Sequence, residues 1–463
     1  MAARAAGLDV ALLDEGPEAG GQVWRAPRTP AARDRSGQDG DGRAGADLRR
    51  ALAASGVRHL CGALVWFVAP PEDAGGAFEV TFSNGQDSRS LRAPRLLAAP
   101  GARERVVPFP GWTLPGVLGL AAATALIKRE GVLPGRRVVI AGQGPLLIAV
   151  AAKALTLGLR PAAVVDLASR GEWLAAAAGL ASLPRPFLQG AGWLARLMRA
   201  RVPILHRHAV VAAHGDDRLR EIVVAAVDAQ GRPRPGRRQG IPADTLYVGN
   251  GLQPNTEISR LLGVLHDRDP LRGGLVPRTD DWGRTSRAGF YVAGDGAGIR
   301  GALPAVLSGR LAGLAAAADA GRLDAHNLLQ RSAGLLRRRR RLSRLADVSC
   351  RLMALREGQL QGLAEETVIC RCEDVTLGDL RRAIAAGAGD LNQLKHFTRL
   401  GMGPCQARMC GANAAALVAA ETGQAPDAPS MLTPRPPLRP VSIAEMAGAF
   451  SYDDIPVPAP APL

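Results

Sequence analysis

An α/β fold is predicted, with two successive parallel-sheet units and a small helical module behind them. Three observations predict it. Apolar strands run straight into glycine turns, at Arg137-Val-Val-Ile-Ala141 before Gly142-Gln-Gly144 and at Phe290-Tyr-Val-Ala293 before Gly294-Asp-Gly296. A helical pattern of apolar residues follows each turn. Four of the six cysteines lie between Cys370 and Cys410.

The first unit opens on the end of a helix, Met1 to Gly7, before the apolar run Val10-Ala-Leu-Leu13 ends in Asp14-Glu15. Gly20, Gly21 and Gln22 follow in a loop. Ala77 to Phe82 alternates as a strand does, and Asn84-Gly85 marks a hairpin turn. Arg95-Leu-Leu-Ala-Ala-Pro-Gly101 is an apolar strand entering a tight turn. The strand and glycine-rich turn that would open a ~30-residue βαβ unit of this kind are not among these residues. The expectation is a true start upstream of Met1, rather than a shortened copy.

The second unit is more complete. After Gly142-Gln-Gly144, a helix runs from Pro145 to Leu157, and Gly158 ends it as a C-cap glycine. The strand Ala163-Val-Val165 ends in Asp166, 24 residues after Gly142. Strand, glycine loop, helix, strand, acid is the dinucleotide-binding pattern. Glycines let the backbone approach a pyrophosphate whose charge sits on a helix N-terminus. The acid accepts ribose hydroxyls. Leu147 stands where a third glycine would be, which weakens the motif. Asp166 favours NAD over NADP, and Arg170 softens that preference. The strand Glu221 to Ala225 then leads to Thr245-Leu-Tyr-Val-Gly-Asn-Gly251.

A third nucleotide signal comes at Gly294-Asp295-Gly296, ahead of a small-residue helix from about Ala302 to Ala318. Asp295 is placed to bond a sugar-like hydroxyl, and the helix start faces a phosphate. A basic stretch, Arg337 to Arg341, sits in an interdomain helix and reads as a solvated face or a dock for an acidic partner.

The cysteines form a C-x-C pair, Cys370 and Cys372, and a C-x4-C pair, Cys405 and Cys410, with 32 residues between the pairs. Four thiolates grouped so can hold a [2Fe–2S] cluster or a zinc ion. Zinc sites of four cysteines usually space both pairs as C-x2-4-C, so C-x-C suits the cluster better. Gly401, Gly403 and Gly411 let backbone reach the sulfurs, and a helix from Ala412 to Thr422 aims its amides at them. Leu377 to Ala386 and Asp390 to Leu400 are expected to be helices.

Composition bounds the function. The 463 residues allow two or three domains, with 47% hydrophobic and 22% charged residues. The net charge of +16 is nearly all Arg, with Lys only at Lys128, Lys153 and Lys395. Spread along the chain, that charge marks compositional bias rather than a nucleic-acid surface. Six cysteines do not make a disulfide scaffold, no apolar run reaches 18 residues, and Asp9 and Asp14 break any signal peptide. A cytoplasmic protein with no membrane span and no nucleic-acid partner is expected.

These residues resemble a known family. Glu15, Gly20-Gly21-Gln22, Ala99-Pro-Gly101, Gly142-Gln-Gly144, Gly249-Asn-Gly251 and Tyr291-Val-Ala-Gly-Asp295 resemble the two-dinucleotide-domain flavoproteins of the glutathione reductase type. Cys370-Arg-Cys-Glu-Asp-Val-Thr376, Gly401-Met-Gly-Pro-Cys-Gln-Ala-Arg-Met-Cys410 and Phe109-Pro-Gly-Trp-Thr-Leu-Pro-Gly116 narrow it. They look like the alpha subunits of opine oxidase, D-hydroxyproline dehydrogenase and cyanide-forming glycine dehydrogenase. The resemblance implies an FAD-binding domain over 1–120 and 245–325, an NAD(P)-binding-like domain over 121–244, a basic helical linker over 326–365, a BFD-like [2Fe–2S] domain over 366–424 and a Pro-rich tail over 425–463.

It further implies that Glu15 binds the FAD adenosine ribose and Asp295 the ribityl chain, with Gly20, Gly21, Gln22, Gly101, Gly251 and Gly294 around the flavin nucleotide. Gly142, Gly144 and Asp166 would line the second nucleotide site, and Cys370, Cys372, Cys405 and Cys410 would hold the cluster. Pro100 replaces the usual Thr of the Ala-Thr-Gly turn and removes a donor there. The expected function is an electron-transfer subunit that carries electrons from flavin to cluster. Its partners would be a small ferredoxin-like subunit together with a second FAD-containing dehydrogenase subunit, in a hetero-oligomer. The alternatives are an NADH-dependent flavin reductase feeding a separate acceptor, and a non-catalytic copy lacking FAD. Disulfide reduction is excluded, because Cys61 stands alone in the body and Cys350 lies in the linker. Cys61 is expected to be a small buried hydrophobe. His206 and His208 are expected at the surface, and no catalytic residue is assigned.

Overall fold

The computed structural model describes residues 1–30, 32–33, 40–73, 75–180, 184–424 and 431–447. Its centre is a five-stranded parallel sheet in the order Ile204–His206, Ala163–Asp166, Val138–Gly142, Thr245–Gly249, Val117–Gly119. Side chains alternate across a strand, so one sheet feeds two cores. Val138, Ile140, Val164 and Tyr247 face the helix Pro145–Thr156. Val139, Ala141, Val165 and Leu246 face an antiparallel sheet of His208–His214, Glu221–Ala226 and Gln239–Pro242, together with Phe109 and Trp112. Burial on both sides is why Arg137 to Ala141 reads as a continuous apolar run.

This sheet moves two expected boundaries. Val117–Gly119 and Thr245–Gly249 pair within it, although boundaries at 120/121 and 244/245 would assign them to the first unit. Thr245–Gly249 is held from both sides, against Val138–Gly142 and against Val117–Gly119. That pairing decides its membership.

The first unit is in pieces of two strands. Ala11–Asp14 pairs in parallel with Arg58–Cys61, and Leu96–Ala98 pairs in parallel with Phe290–Val292. A three-stranded antiparallel sheet, Leu64–Ala69, Phe78–Ser83 and Ser88–Ala93, covers them. Its tight turn is held by Asn84 Oδ1, which accepts the amides of Gln86 and Asp87 at 2.9 and 3.0 Å. Cys61 is exposed, against expectation, because it ends a strand at the edge of a two-stranded ladder. Helix Ala302–Asp319 packs its Ala312, Ala315 and Ala316 on Tyr291 and Ala293.

The linker is a helix of 29 residues, Ala325–Met353, capped by Asp324 Oδ1 on the Asn327 amide at 2.7 Å. Its arginine run is not simply a solvated face: Arg339 and Arg340 both reach the Asp281 carboxylate, at 2.6 and 2.8 Å.

The thiol module has its own core, with Leu380, Leu391, Leu394, Leu400 and Ala414 closed from solvent. Thr376 and Asp379 form a capping box at the start of Leu377–Ala385, and Asp390 caps Leu391–Thr398. Gly411–Thr422 ends on the left-handed Gly423. The module docks on the segment after Gly101, where Trp112 Nε1 donates to Val368 O at 2.7 Å and Asn413 Nδ2 to Val106 O at 2.6 Å. Residues 431–447 run back over both parts. Leu438 N donates to Trp66 O at 2.6 Å, and Arg408 Nη2 donates to Leu438 O at 2.6 Å. The rest of the Pro-rich tail, 425–430 and 448–463, lies outside the described residues.

Candidate cofactor sites

In the first unit, the parallel pairing of Ala98 with Val292 brings the Gly101 turn beside Gly294 and Asp295. Pro100 O accepts Asn255 Nδ2 at 2.9 Å, and Gly101 O accepts the Asn255 amide at 3.0 Å. Gly294 has φ +73, and its amide faces Ser308 Oγ. Asp295 Oδ1 accepts the amides of Arg300 and Gly301 at 2.8 Å each, which folds the turn ahead of helix Ala302–Asp319. A cavity of about 330 Å³ opens beside Gly294, between Ser308 and Arg300 on one side and Arg339 and Arg344 of the linker helix on the other.

Glu15 sits on the other strand pair, exposed, with Arg439 at 2.9 Å. The Gly20 to Gln22 loop folds on itself. Gly20 O accepts the Trp24 amide at 3.1 Å, Gly21 has φ +57, and Gln22 Oε1 accepts from Arg25. Arg49 braces that loop through Trp24 O at 2.9 Å and Glu18 at 3.2 Å.

In the second unit, Gly142 and Gly144 take the φ values +135 and +91 that favour glycine. A Cβ on Gly142 would overlap Gly249 O, so this glycine serves strand packing. Asp166 is closed from solvent. Its carboxylate accepts Trp173 Nε1 at 2.5 Å and the Ala168 amide at 3.0 Å, and it lies 3.2 Å from His206 Nδ1. His206 and His208 are therefore half-buried and not surface residues, because parallel pairing sets His206 beside Asp166.

The four thiols lie near enough to act on one another: Cys410 on Cys370, Cys405 and Cys370 on Cys372, and Cys370 and Cys405 on Cys410. The Cys410 thiol donates to Cys370 and, with the amides of Gly401, Glu373 and Cys372, draws the Cys370 pKa down to about 6. Cys410 is pushed up by the same bond and by burial. Burial raises Cys372, against the pull of the Cys405 amide. A Cβ on Gly403 would overlap Cys372 Cβ. Non-glycine residues with positive φ concentrate here, at Asp374, Arg399, Gln406 and Ala407. Backbone held in that region collects where function over-determines it. Among the described residues, no three His, Cys, Asp or Glu side chains converge to hold one metal ion.

Residues 1–321 match the family model described as Pyridine nucleotide-disulphide oxidoreductase. The chain belongs to that family. It is an oxidoreductase of the flavin-dependent type, and the match points to a flavin and a nucleotide as cofactor types. Residues 364–449 of the oxidoreductase match the Sarcosine oxidase A3 domain, an iron–sulfur domain type, which takes in the thiol module and the described tail. An opine oxidase subunit of Rhizobium meliloti (strain 1021) is 36% identical over 450 residues, covering 95% of this chain and 93% of that protein. Hydrogen cyanide synthase subunit HcnB of Pseudomonas aeruginosa is 38% identical over 315 residues, 68% of each chain. The solved L-proline dehydrogenase from P. horikoshii shares the fold, with a TM-score of 0.65 and 20% identity over 96% of this chain and 77% of that one. No helix among the described residues is long and apolar enough to cross a membrane.

Sequence reasoning missed Arg105, Met353, Trp112 and Arg439. Arg105 is 5% exposed, and its guanidinium reaches the carbonyls of Asn250, Met353 and Gly273. Burial lowers its pKa to about 10. A lone Arg in an Arg-rich chain carries no signal of that kind. Trp112 did stand out within the Phe109 to Gly116 motif, but nothing local says that it grips Val368.

Proposed function

We propose that this oxidoreductase is the electron-transfer subunit of a complex that dehydrogenates an amine, opine or imino acid. FAD would lie in the first unit, with Glu15 toward the adenosine ribose, Gly101 and Gly294 at the close backbone approaches and Asp295 toward the ribityl chain. A [2Fe–2S] cluster would sit between Cys370, Cys372, Cys405 and Cys410. The observation that carries this reading is the gathering of Cys370, Cys372, Cys405 and Cys410 in one small module that matches an iron–sulfur domain type, with Gly403 so close that a Cβ there would overlap Cys372 Cβ. When bound, a flavin exchanges electrons in pairs or singly and a cluster singly, so the two together form a relay.

The chain's own residues support the route between them. Five positions past Gly101, Val106 O accepts Asn413 of the thiol module, and Trp112 holds Val368 two residues before Cys370. One segment thus joins the two candidate sites. The relatives named above are called subunits, which supports a dehydrogenating partner subunit in a hetero-oligomer. The test is anaerobic expression followed by an absorbance spectrum with iron, sulfide and flavin analysis. Flavin bands together with cluster absorbance are expected. Iron well below cluster stoichiometry, with no flavin, would end the proposal.

A further inference from the structure

The linker helix ends on the glycine loop of the second unit. A Cβ on Gly144 would overlap Met353 Cγ, and a Cβ on Gly251, at φ +89, would come within 2.7 Å of Met353 O. Gly144, which would admit a nucleotide backbone, admits Met353 instead. Gln143 is 2% exposed and donates Nε2 to Met353 O at 3.0 Å and to Ala354 O at 3.1 Å. Arg105 holds the same Met353 carbonyl at 3.2 Å. Met353 is also closely packed away from the glycine loop, where the space among Arg105, Leu252, Gly273, Cys350 and Met353 is about 10 Å³, room for one water at most.

Electrostatics agrees with sterics. A helix C-terminus carries partial negative charge and a helix N-terminus partial positive charge. The last carbonyls of Ala325–Met353 meet the loop that starts Pro145–Thr156, the place where a pyrophosphate would otherwise be stabilised. The chain then runs on to Arg356, which pairs with Glu172 at 2.8 Å and donates to Ala229 O. Asp166, the ribose acid of the motif, is closed under Trp173. Loop and acid are both engaged by this chain's own groups.

We propose that the Met353–Arg356 segment is a built-in plug of the second unit's dinucleotide site, so that the folded chain takes no nicotinamide nucleotide and receives its electrons from another donor. In this arrangement the second unit works as a cradle that fixes the linker and, through it, the thiol module. The inference concerns the second unit alone and does not depend on flavin or cluster being bound.

The test is calorimetric titration of the full chain with NADH, NAD and ADP-ribose, alongside the variants Met353→Ala and Gln143→Ala, with melting curves to confirm that each is folded. The wild type is expected to give no binding heat, while at least one folded variant gains ADP-ribose binding by tenfold or more. Wild-type binding with a Kd below about 100 μM, an ordinary working affinity for a substrate, would overturn the proposal. So would folded variants that bind no better than the wild type, since the linker would then not be what closes the site. Absent flavin or iron would leave this result unaffected, so the two proposals fail separately.

Discussion

Arg439 Nη2 lies 2.9 Å from Glu15 Oε2, joining the C-terminal strap to the acid at the end of the first unit's strand. Both side chains are substantially exposed, at 40% and 57%, so the pair adds less than about 1 kcal/mol to stability. If Glu15 accepts ribose hydroxyls, it has to share its carboxylate with Arg439. Arg439→Ala is expected to leave the urea midpoint nearly unchanged and to tighten FAD binding by at most about fivefold, the equivalent of ~1 kcal/mol. Quenching of flavin fluorescence measures it, and weaker binding would make Arg439 a ligand contact rather than a competitor.

Gly403 has no room for a methyl group, because Cys372 Cβ occupies that space. Gly403→Ala has to push Cys372 away from Cys405 and Cys370. Loss of most cluster iron is expected, with the fold retained as judged by far-UV circular dichroism. Cys61→Ser, at an exposed thiol far along the chain from the module, is expected to leave iron content unchanged. Equal iron in both variants and in the wild type would remove the thiol module as the metal site.

Glu104 is enclosed beside the start of helix Leu120–Ala125, where its carboxylate accepts the Ala121 amide at 3.0 Å. Burial lifts its pKa from 4.5 to about 7, against the pull of the Ala121 and Leu120 amides. The folded state therefore binds this proton more tightly than the unfolded chain. Its contribution to stability is complete below pH 4.5 and is lost as pH rises to about 7, with a loss of up to ~3 kcal/mol. Urea unfolding of wild type and Glu104→Gln at a series of pH values is the check. The difference between them is expected to change across that window and to be flat above it.

Trp112, 6% exposed, gives the thiol module one of the two hydrogen bonds that join it, among the described residues, to the body segment after Gly101. Trp112→Phe keeps most of the apolar contact but leaves Val368 O without this donor. A cost of about 1–2 kcal/mol is expected. Limited proteolysis should cut the 354–367 segment sooner than in the wild type. An unchanged cleavage pattern would mean that Asn413, with Val107 packed into the module's core, holds the module without Trp112.

Much of the local structure was legible in the sequence. Pro145, the apolar spacing to Thr156 and Gly158 mark a helix by their own stereochemistry. The helices expected at Leu377 to Ala386 and Asp390 to Leu400 form as Leu377–Ala385 and Leu391–Thr398. The cysteine spacing marked a metal-type module, and the Gly142 and Gly294 turns marked two nucleotide-type units. The errors have a common cause. Cys61 was expected inside on residue type, but a strand at the edge of a two-stranded ladder leaves it outside. His206 was expected outside, but parallel pairing places it against Asp166.

By itself the sequence determined the elements and their chemistry: strands that end in glycine, helices with their caps, and four thiols at a spacing that one small module can gather. These depend on φ/ψ preference and periodicity, which act over a few residues. Only the tertiary structure decided what each site faces. Met353 meets Gly144 across 209 positions of sequence, and Arg439 meets Glu15 across 424. No local signal encodes such contacts, because they arise from how whole helices and sheets bury their apolar faces. The glycine loop that reads as an open nucleotide site is therefore, in the folded chain, the seat of its own linker helix.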